Sequence, residues 1–259
     1  MTGSTFPTQV YVSARRSLLN GVRSPEAFIP NVAVALFFLV VYKGTLGSLV
    51  DLPGFPADDY LPYVMPVALL TGAIGTAAGA GVGLTNDIES GYFDRQLSMP
   101  ISRAAVVLGP MIASVVQVLV ASLLVLGVAL ALGMGAETGV AGCAVVIVMA
   151  LVWGLAFAGY AAATGLRSGN AQTVQAAIFL FFPLVFLSNG FIPTNRMEGW
   201  MQTITSINPT TYVFNGMRAL LIDGWRGWEI LQAFIWAGTF AVVTLGLATF
   251  AARVAVSRR

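Results

Sequence analysis

Six stretches without a charged side chain, at 27–42, 60–86, 104–136, 138–166, 168–195 and 230–252, constrain this chain more than any other feature. All but the first exceed the roughly 20 residues that a helix needs to cross about 30 Å of hydrocarbon. The first reaches that length if Lys43, the sole lysine, snorkels from the helix end toward the headgroups. Only 9% of the residues are charged and 57% are hydrophobic, against about 25% charged in a soluble domain, so too few charges remain to cover a water-facing surface. The expected fold is all-α and integral to the membrane, a single domain over 1–259 with six transmembrane helices at about 27–48, 61–85, 105–134, 140–166, 169–189 and 230–252. The first apolar run follows a polar, basic segment and precedes five more, which reads as a retained anchor rather than a cleaved signal.

The basic residues set the expected orientation. With a cytoplasmic N-terminus, Arg15, Arg16, Arg23, Arg95, Arg103, Arg167, Arg253, Arg258 and Arg259 lie inside, nine against the four outside (Lys43, Arg196, Arg218 and Arg226). Both termini are then cytoplasmic, and the first outer loop, with Asp51, Asp58 and Asp59 and no arginine, obeys the positive-inside bias. No loop on the cytoplasmic side is long enough for a separate folded domain.

Several chemistries are disfavoured by what the chain lacks. Lys43 follows Tyr42 rather than glycine, so no P-loop can wrap a phosphate. The acidic residues fall between or at the ends of the apolar runs, leaving no carboxylate relay at membrane depth. Histidine is absent and Cys143 is the only cysteine, which removes Ser-His and Cys-His pairs, a disulfide and any His- or Cys-based metal site. Cys143 reads as a small core residue. The spans therefore suit a pathway or scaffold whose energy comes from elsewhere.

Three segments outside the spans carry patterns. In the leader, 1–26, a helix from about Thr8 puts Tyr11, Ala14, Leu18 and Val22 on one face and Ser13, Arg16, Asn20 and Arg23 on the other. That suits an amphipathic interfacial helix with arginines reaching anionic lipid, or else a merely basic flank. In 86–103, Asn86 and Glu89 fit a helix N-cap with its reciprocal partner, Asp87 and Glu89 suit the positive end of the dipole, and Pro100 suits the start of the next helix. Tyr92 and Phe93 read as exposed aromatics beside charges, either a docking surface or a polar loop with interfacial aromatics. In the outer segment, Trp200, Ile204 and Ile207 share helical spacing, Asn208-Pro209 breaks that helix, and Phe214, Met217 and Leu221 line a second one before Gly224. Two short helices dipping into the outer leaflet are expected over 190–226.

Two of these runs resemble a known family. Glu89, Gly91, Asp94-Arg95 and Ser98-Met99-Pro100-Ile101-Ser102-Arg103, continuing to Ala104 and Gly109, look like the signature of type-2 ABC transporter permeases, within them the daunorubicin-resistance permease group. Leu187-Ser188-Asn189-Gly190-Phe191-Ile192-Pro193-Thr194, Gly199-Trp200, Asn208-Pro209 and Arg218-Ala219-Leu220 resemble that group's fifth-span exit, outer re-entrant helices and Asn-Pro turn. Gly190 stands where alanine is more usual.

The resemblance implies a permease subunit of a bacterial ABC exporter in the plasma membrane, paired with a second copy or a paralogous permease. Two separate ATPase subunits would hold ATP and magnesium, with no cofactor in this chain. It implies that the 86–103 segment is the coupling element received by the ATPase, with Asp87, Glu89, Gly91, Tyr92, Phe93, Asp94, Arg95, Met99, Pro100 and Arg103 as its residues. Asn189, Phe191, Pro193, Trp200, Asn208, Pro209 and Arg218 would build the outer re-entrant segment. Gly75, Gly79 and Gly83 form a small-residue stripe, and Phe179, Phe182 and Phe186 follow helical spacing; both read as packing or as a lipophilic substrate route. Because the spans offer no fixed charge, a hydrophobic or amphipathic substrate, drug-like or lipid-like, is expected. Glycan export, a non-transporting scaffold or sensor subunit, and an intramembrane enzyme are the alternatives.

Overall fold

The computed structural model describes residues 5–23, 28–99 and 101–257, the side chains of Leu97, Arg103 and 255–257 excepted, and every regular element in it is helical. A leader helix, α1 (Phe6–Arg23), precedes α2 (Ile29–Leu46). After a 3₁₀ turn at Gly47–Asp51, α3 (Tyr60–Ala77) runs through a brief break at Ala78 into α4 (Gly79–Glu89). Then follow the short α5 (Tyr92–Leu97) and two long helices, α6 (Arg103–Ala131) and α7 (Gly139–Ser168). The chain continues through α8 (Ala171–Phe179), α9 (Phe182–Phe186), α10 (Gly199–Ile207) and α11 (Pro209–Arg218), and ends in α12 (Gly227–Ser257).

Five of these segments are long and apolar enough to cross a membrane: Ile29–Asp51, Tyr60–Glu89, Ala104–Ala131, Gly139–Ser168 and Gly227–Val254. The fifth expected span, 169–189, takes a different form. It is split into α8 and α9, an apolar run of Ala171–Phe186 that falls short of spanning length. The cause is local. Pro183 has no amide hydrogen to offer the preceding turn, and the chain turns at Leu180 and Phe181 before α9 starts.

The Tyr60–Glu89 segment is the axis of the bundle. Of its most apolar window 78% is buried, against 22% for the first and last spans, so α2 and α12 offer their faces outward while α3 is enclosed. Asp59 starts α3 by accepting a hydrogen bond from the Leu61 amide at 3.1 Å, satisfying one of the orphan donors of a helix start. α3 packs against α2, α6 and α7, α4 against α7, and α7 against α12. Backbone meets backbone between α4 and α7: a Cβ on Gly81 would lie 2.2 Å from the Ala161 carbonyl oxygen, and one on Gly165 would lie 2.7 Å from that of Gly81. No side chain fits there, so the α4 and α7 backbones touch directly.

The leader lies on α6 with its small and polar side inward. A Cβ on Gly109 would collide with Ser13, and one on Gly21 would collide with Gln117. The apolar stripe expected along Tyr11, Ala14, Leu18 and Val22 is thus divided: Ala14 is buried, while Tyr11 and Val22 face outward with Val12 and Leu19. Packing on the α6 groove, rather than amphipathicity alone, sets the rotation of this helix.

Candidate functional site: two clamped corners

At the end where α4 meets α5, the last turn of α4 carries Asn86, Asp87 and Glu89. The capping arrangement expected for Asn86 and Glu89 does not form, because both belong to a helix that is ending rather than starting. The amide of Ser90 donates to the Asn86 carbonyl and that of Gly91 to the Ile88 carbonyl. Gly91 closes α4 and opens α5 at φ +68°, a left-handed conformation natural to glycine. Nothing lies within 4 Å of where its Cβ would be, so backbone conformation rather than intramolecular crowding selects glycine there.

Asp87 and Glu89 consequently sit at the negative end of the α4 dipole, where acids are disfavoured. Arg16 of α1 compensates. Its two terminal nitrogens donate to the two Asp87 oxygens at 3.0 and 2.6 Å, and its guanidinium lies 3.5 Å from the centre of the Tyr92 ring. Burial works against the Arg16 charge, but the hydrogen bond and field of Asp87, together with Tyr92, outweigh it and hold the guanidinium pKa above its ordinary value. This side chain, expected to reach lipid, instead ties the leader to the start of α5. Gln9 adds a second tie by accepting from the Ser102 amide at 2.8 Å.

Tyr92 and Phe93 differ from their expected exposure. Phe93 is only 2% exposed and Tyr92 half-buried under Arg16, while Gln96 is buried too. These residues anchor α5 inward. Its opposite side is open: Glu89, Asp94, Arg95 and Met99 are exposed, and the Arg95 guanidinium reaches back to the Ser90 carbonyl at 3.4 Å. Pro100 lies outside the described residues, as does the Arg103 side chain, although the α6 helix starts at Arg103. The result is a short shelf with both charge signs on its outer face.

The second corner, at the other end of the α3–α4 segment, is organised by Arg218. This side chain is buried, and its three nitrogens donate to the carbonyls of Tyr63, Asn189 and Gly190 at 2.9, 2.8 and 2.6 Å. The guanidinium also lies 3.5 Å from the Tyr63 ring centre. Tyr63 and Tyr60 hydroxyls donate to the carbonyls of Asn189 at 3.0 Å and Phe191 at 2.9 Å. Backbone oxygens freed where the chain leaves α9 are therefore satisfied by three long side chains, as buried polar groups require. Asn208 does the same for α9, donating to Leu184 and Leu187 carbonyls while its side-chain oxygen caps α11 at the Thr210 amide. Pro209 occupies the first turn of α11, where its missing amide costs nothing. Gly190 has Phe214 and Val67 side-chain atoms 3.1 Å from a would-be Cβ, so alanine there would require both neighbours to give by a few tenths of an ångström.

Pro193 leads into a 3₁₀ turn at Thr194–Arg196, and Trp200 is exposed on α10. Phe191 joins Phe179, Phe182 and Phe186 in a ladder of rings against Phe38 and Tyr42 of α2, with neighbouring centroids 4.5 to 6.4 Å apart. The glycine stripe is less uniform: Gly75 is filled by Asn31, Gly79 meets Ser114 and Gln117 at contact distance, and Gly83 opens onto a cavity. Tyr60, Tyr63 and Asn215, which the sequence reading missed, belong to the Arg218 corner; two tyrosines within one turn of the capping Asp59 are the signal that could have pointed there.

A helical bundle with five candidate membrane spans, two clamped corners and a charged shelf is consistent with a membrane permease subunit. The ABC-2 type transporter family matches residues 8–222, and the chain belongs to that family. It is similar to the daunorubicin resistance ABC transporter permease protein DrrB1 of Streptomyces coeruleorubidus, 26% identical over 88% of this chain and 80% of that protein. It is also similar to the probable doxorubicin resistance ABC transporter permease protein DrrC of Mycobacterium tuberculosis, 23% identical over 92% and 86%. The probable multidrug ABC transporter permease YbhR of Escherichia coli is 23% identical over 76% of this chain and 53% of that one. Membership implies ABC ATPase subunits as partners.

Proposed function

We propose that the chain is the membrane subunit of an ATP-driven exporter, moving a hydrophobic or amphipathic compound outward across the bacterial plasma membrane. Two permease subunits work with two separate ATPase subunits, which hold ATP and magnesium, and both termini of this chain are cytoplasmic. The Ala171–Phe186 run completes a sixth crossing together with the residues that follow it, and α10 and α11 dip into the outer leaflet. The names of the relatives support a drug-like substrate. The observation that carries the reading is the shelf: α5 is held from below by Phe93 and Gln96 and pinned sideways through Tyr92 and Arg16, while Glu89, Asp94, Arg95 and Met99 are left outward. A push on that face by an ATPase reaches both the leader and α4 through one ion pair.

Glu89→Ala, Asp94→Ala and Arg95→Ala, alone and combined, test it. Membrane insertion and thermal stability should be kept, and substrate-stimulated ATP hydrolysis by the assembled complex should be lost. Normal stimulation in the triple variant would reduce the shelf to a linker and favour the scaffold alternative.

A further inference from the structure

We propose that the groove between the end of α7, the first turn of α8 and the last turns of α12 is a binding site for one anionic phospholipid. Residues of all three helices, among them Tyr160, Thr164, Arg167, Thr173, Leu247 and Phe250, line a space of about 410 Å³. None of these is acidic, and Arg167 forms no ion pair or hydrogen bond among the described residues. Its guanidinium is exposed at the groove, a planar set of donors that fits a phosphate. Thr173 stands in the first turn of α8, where its amide already donates to the Asn170 side chain at 3.1 Å, so the positive end of that helix contributes its field rather than that amide. Arg253 follows Phe250 by three residues and so shares its face of α12; it too is exposed and without an ion pair among the described residues.

The other half of the groove is apolar and leads away from the charges. Phe250, Leu247 and Val243 are 63%, 45% and 55% exposed and follow each other at helical spacing, an apolar stripe about 10 Å long at 1.5 Å per residue. Its depth in the bilayer follows from packing and charge. Gly165 and Ala161 meet Gly81 in the first turn of α4, and Arg167, the first charged residue after the uncharged run 138–166, stands one residue before the end of α7, at the membrane boundary on the α5 side. A phosphodiester beside Arg167 would therefore place its acyl chains along the α12 stripe. A soluble anion satisfies only the first half of this arrangement, and a neutral lipid only the second. The inference needs the chain to be embedded in a membrane, and it is independent of whether the chain exports anything.

The test uses the full-length chain reconstituted in vesicles of equal parts phosphatidylglycerol and phosphatidylcholine, re-extracted in mild detergent and weighed by native mass spectrometry. One phosphatidylglycerol per chain should survive extraction, with phosphatidylcholine retained at least five-fold less. Arg167→Gln and Phe250→Ala alter exposed side chains, so folding, checked by circular dichroism and melting, should be unchanged; each should cut retention about five-fold. Arg15→Gln, an exposed cation on α1, should not. Equal retention of the two lipids, or full retention in Arg167→Gln, would overturn the site. So would displacement of the lipid by soluble glycerophosphoglycerol at a comparable concentration, which would make it a simple anion site. Loss of the lipid on assembly with the partner ATPase would assign the groove to that protein instead.

Discussion

Asp87 holds an unfavourable place, a carboxylate in the last turn of a helix, and the Arg16 guanidinium is what makes it tolerable. The pair is partly screened, the two side chains being 33% and 14% exposed. Asp87→Asn should therefore cost about 1–2 kcal/mol rather than the larger figure of a fully buried pair. Melting in detergent checks this, and Arg16→Met combined with Asp87→Leu should recover part of the loss. Arg218 is the stricter case, because one buried side chain donates to three carbonyls at once, although that of Asn189 also accepts from the Tyr63 hydroxyl. Arg218→Met should destabilise by about 2–4 kcal/mol. Arg218→Lys should restore only part of that, since an ammonium lacks the planar fork that reaches Tyr63, Asn189 and Gly190 together. Equal melting temperatures for Arg218→Met and the parent would mean that these carbonyls find other donors.

The clearest disagreements between sequence and structure arise at the scale of elements. Asn86 and Glu89 match a capping pattern, and within that short window nothing contradicts it. What does is the continuation of α4 out of α3, with the neighbouring Asp87 held by Arg16, 71 residues away, neither of which spacing reveals. Phe93 was misplaced for a similar reason, since a six-residue helix shows too little periodicity to tell its inner from its outer face. The break of the fifth apolar run was partly legible. Pro183 marks it, but counting uncharged residues measures transfer to lipid and says nothing about backbone hydrogen bonds. The Asn208-Pro209 turn was readable because cap and proline are local chemistry. Gly91 is the point where an element-scale test is sharpest: Gly91→Val forces a β-branched residue to φ +68° and should cost about 1–2 kcal/mol. If Gly91→Val melts like the parent, the α4–α5 turn can relax without its left-handed residue.

For the whole molecule, the runs without charge were enough to indicate a membrane bundle, because the absence of charge is a global property that packing cannot disguise. Which helix is central was not visible in them: the enclosed Tyr60–Glu89 segment and the outward-facing Gly227–Val254 segment have nearly equal hydropathy, 1.7 and 1.8. Orientation rests on the arginine asymmetry. Cysteine labels at Ser90 and Ser257 should react only from the cytoplasm and one at Asp58 only from outside; the reverse pattern at position 90 would place the α5 shelf beyond reach of any ATPase. The account's central claim, that this chain is the membrane part of an ATP-driven exporter, is tested most directly by transport in proteoliposomes that hold the chain with its partner ATPase, across a panel of amphipathic compounds. ATP supplied on the ATPase side should drive at least one compound across, while the chain alone under a proton gradient moves none. Gradient-driven transport by the isolated chain without ATP would contradict it.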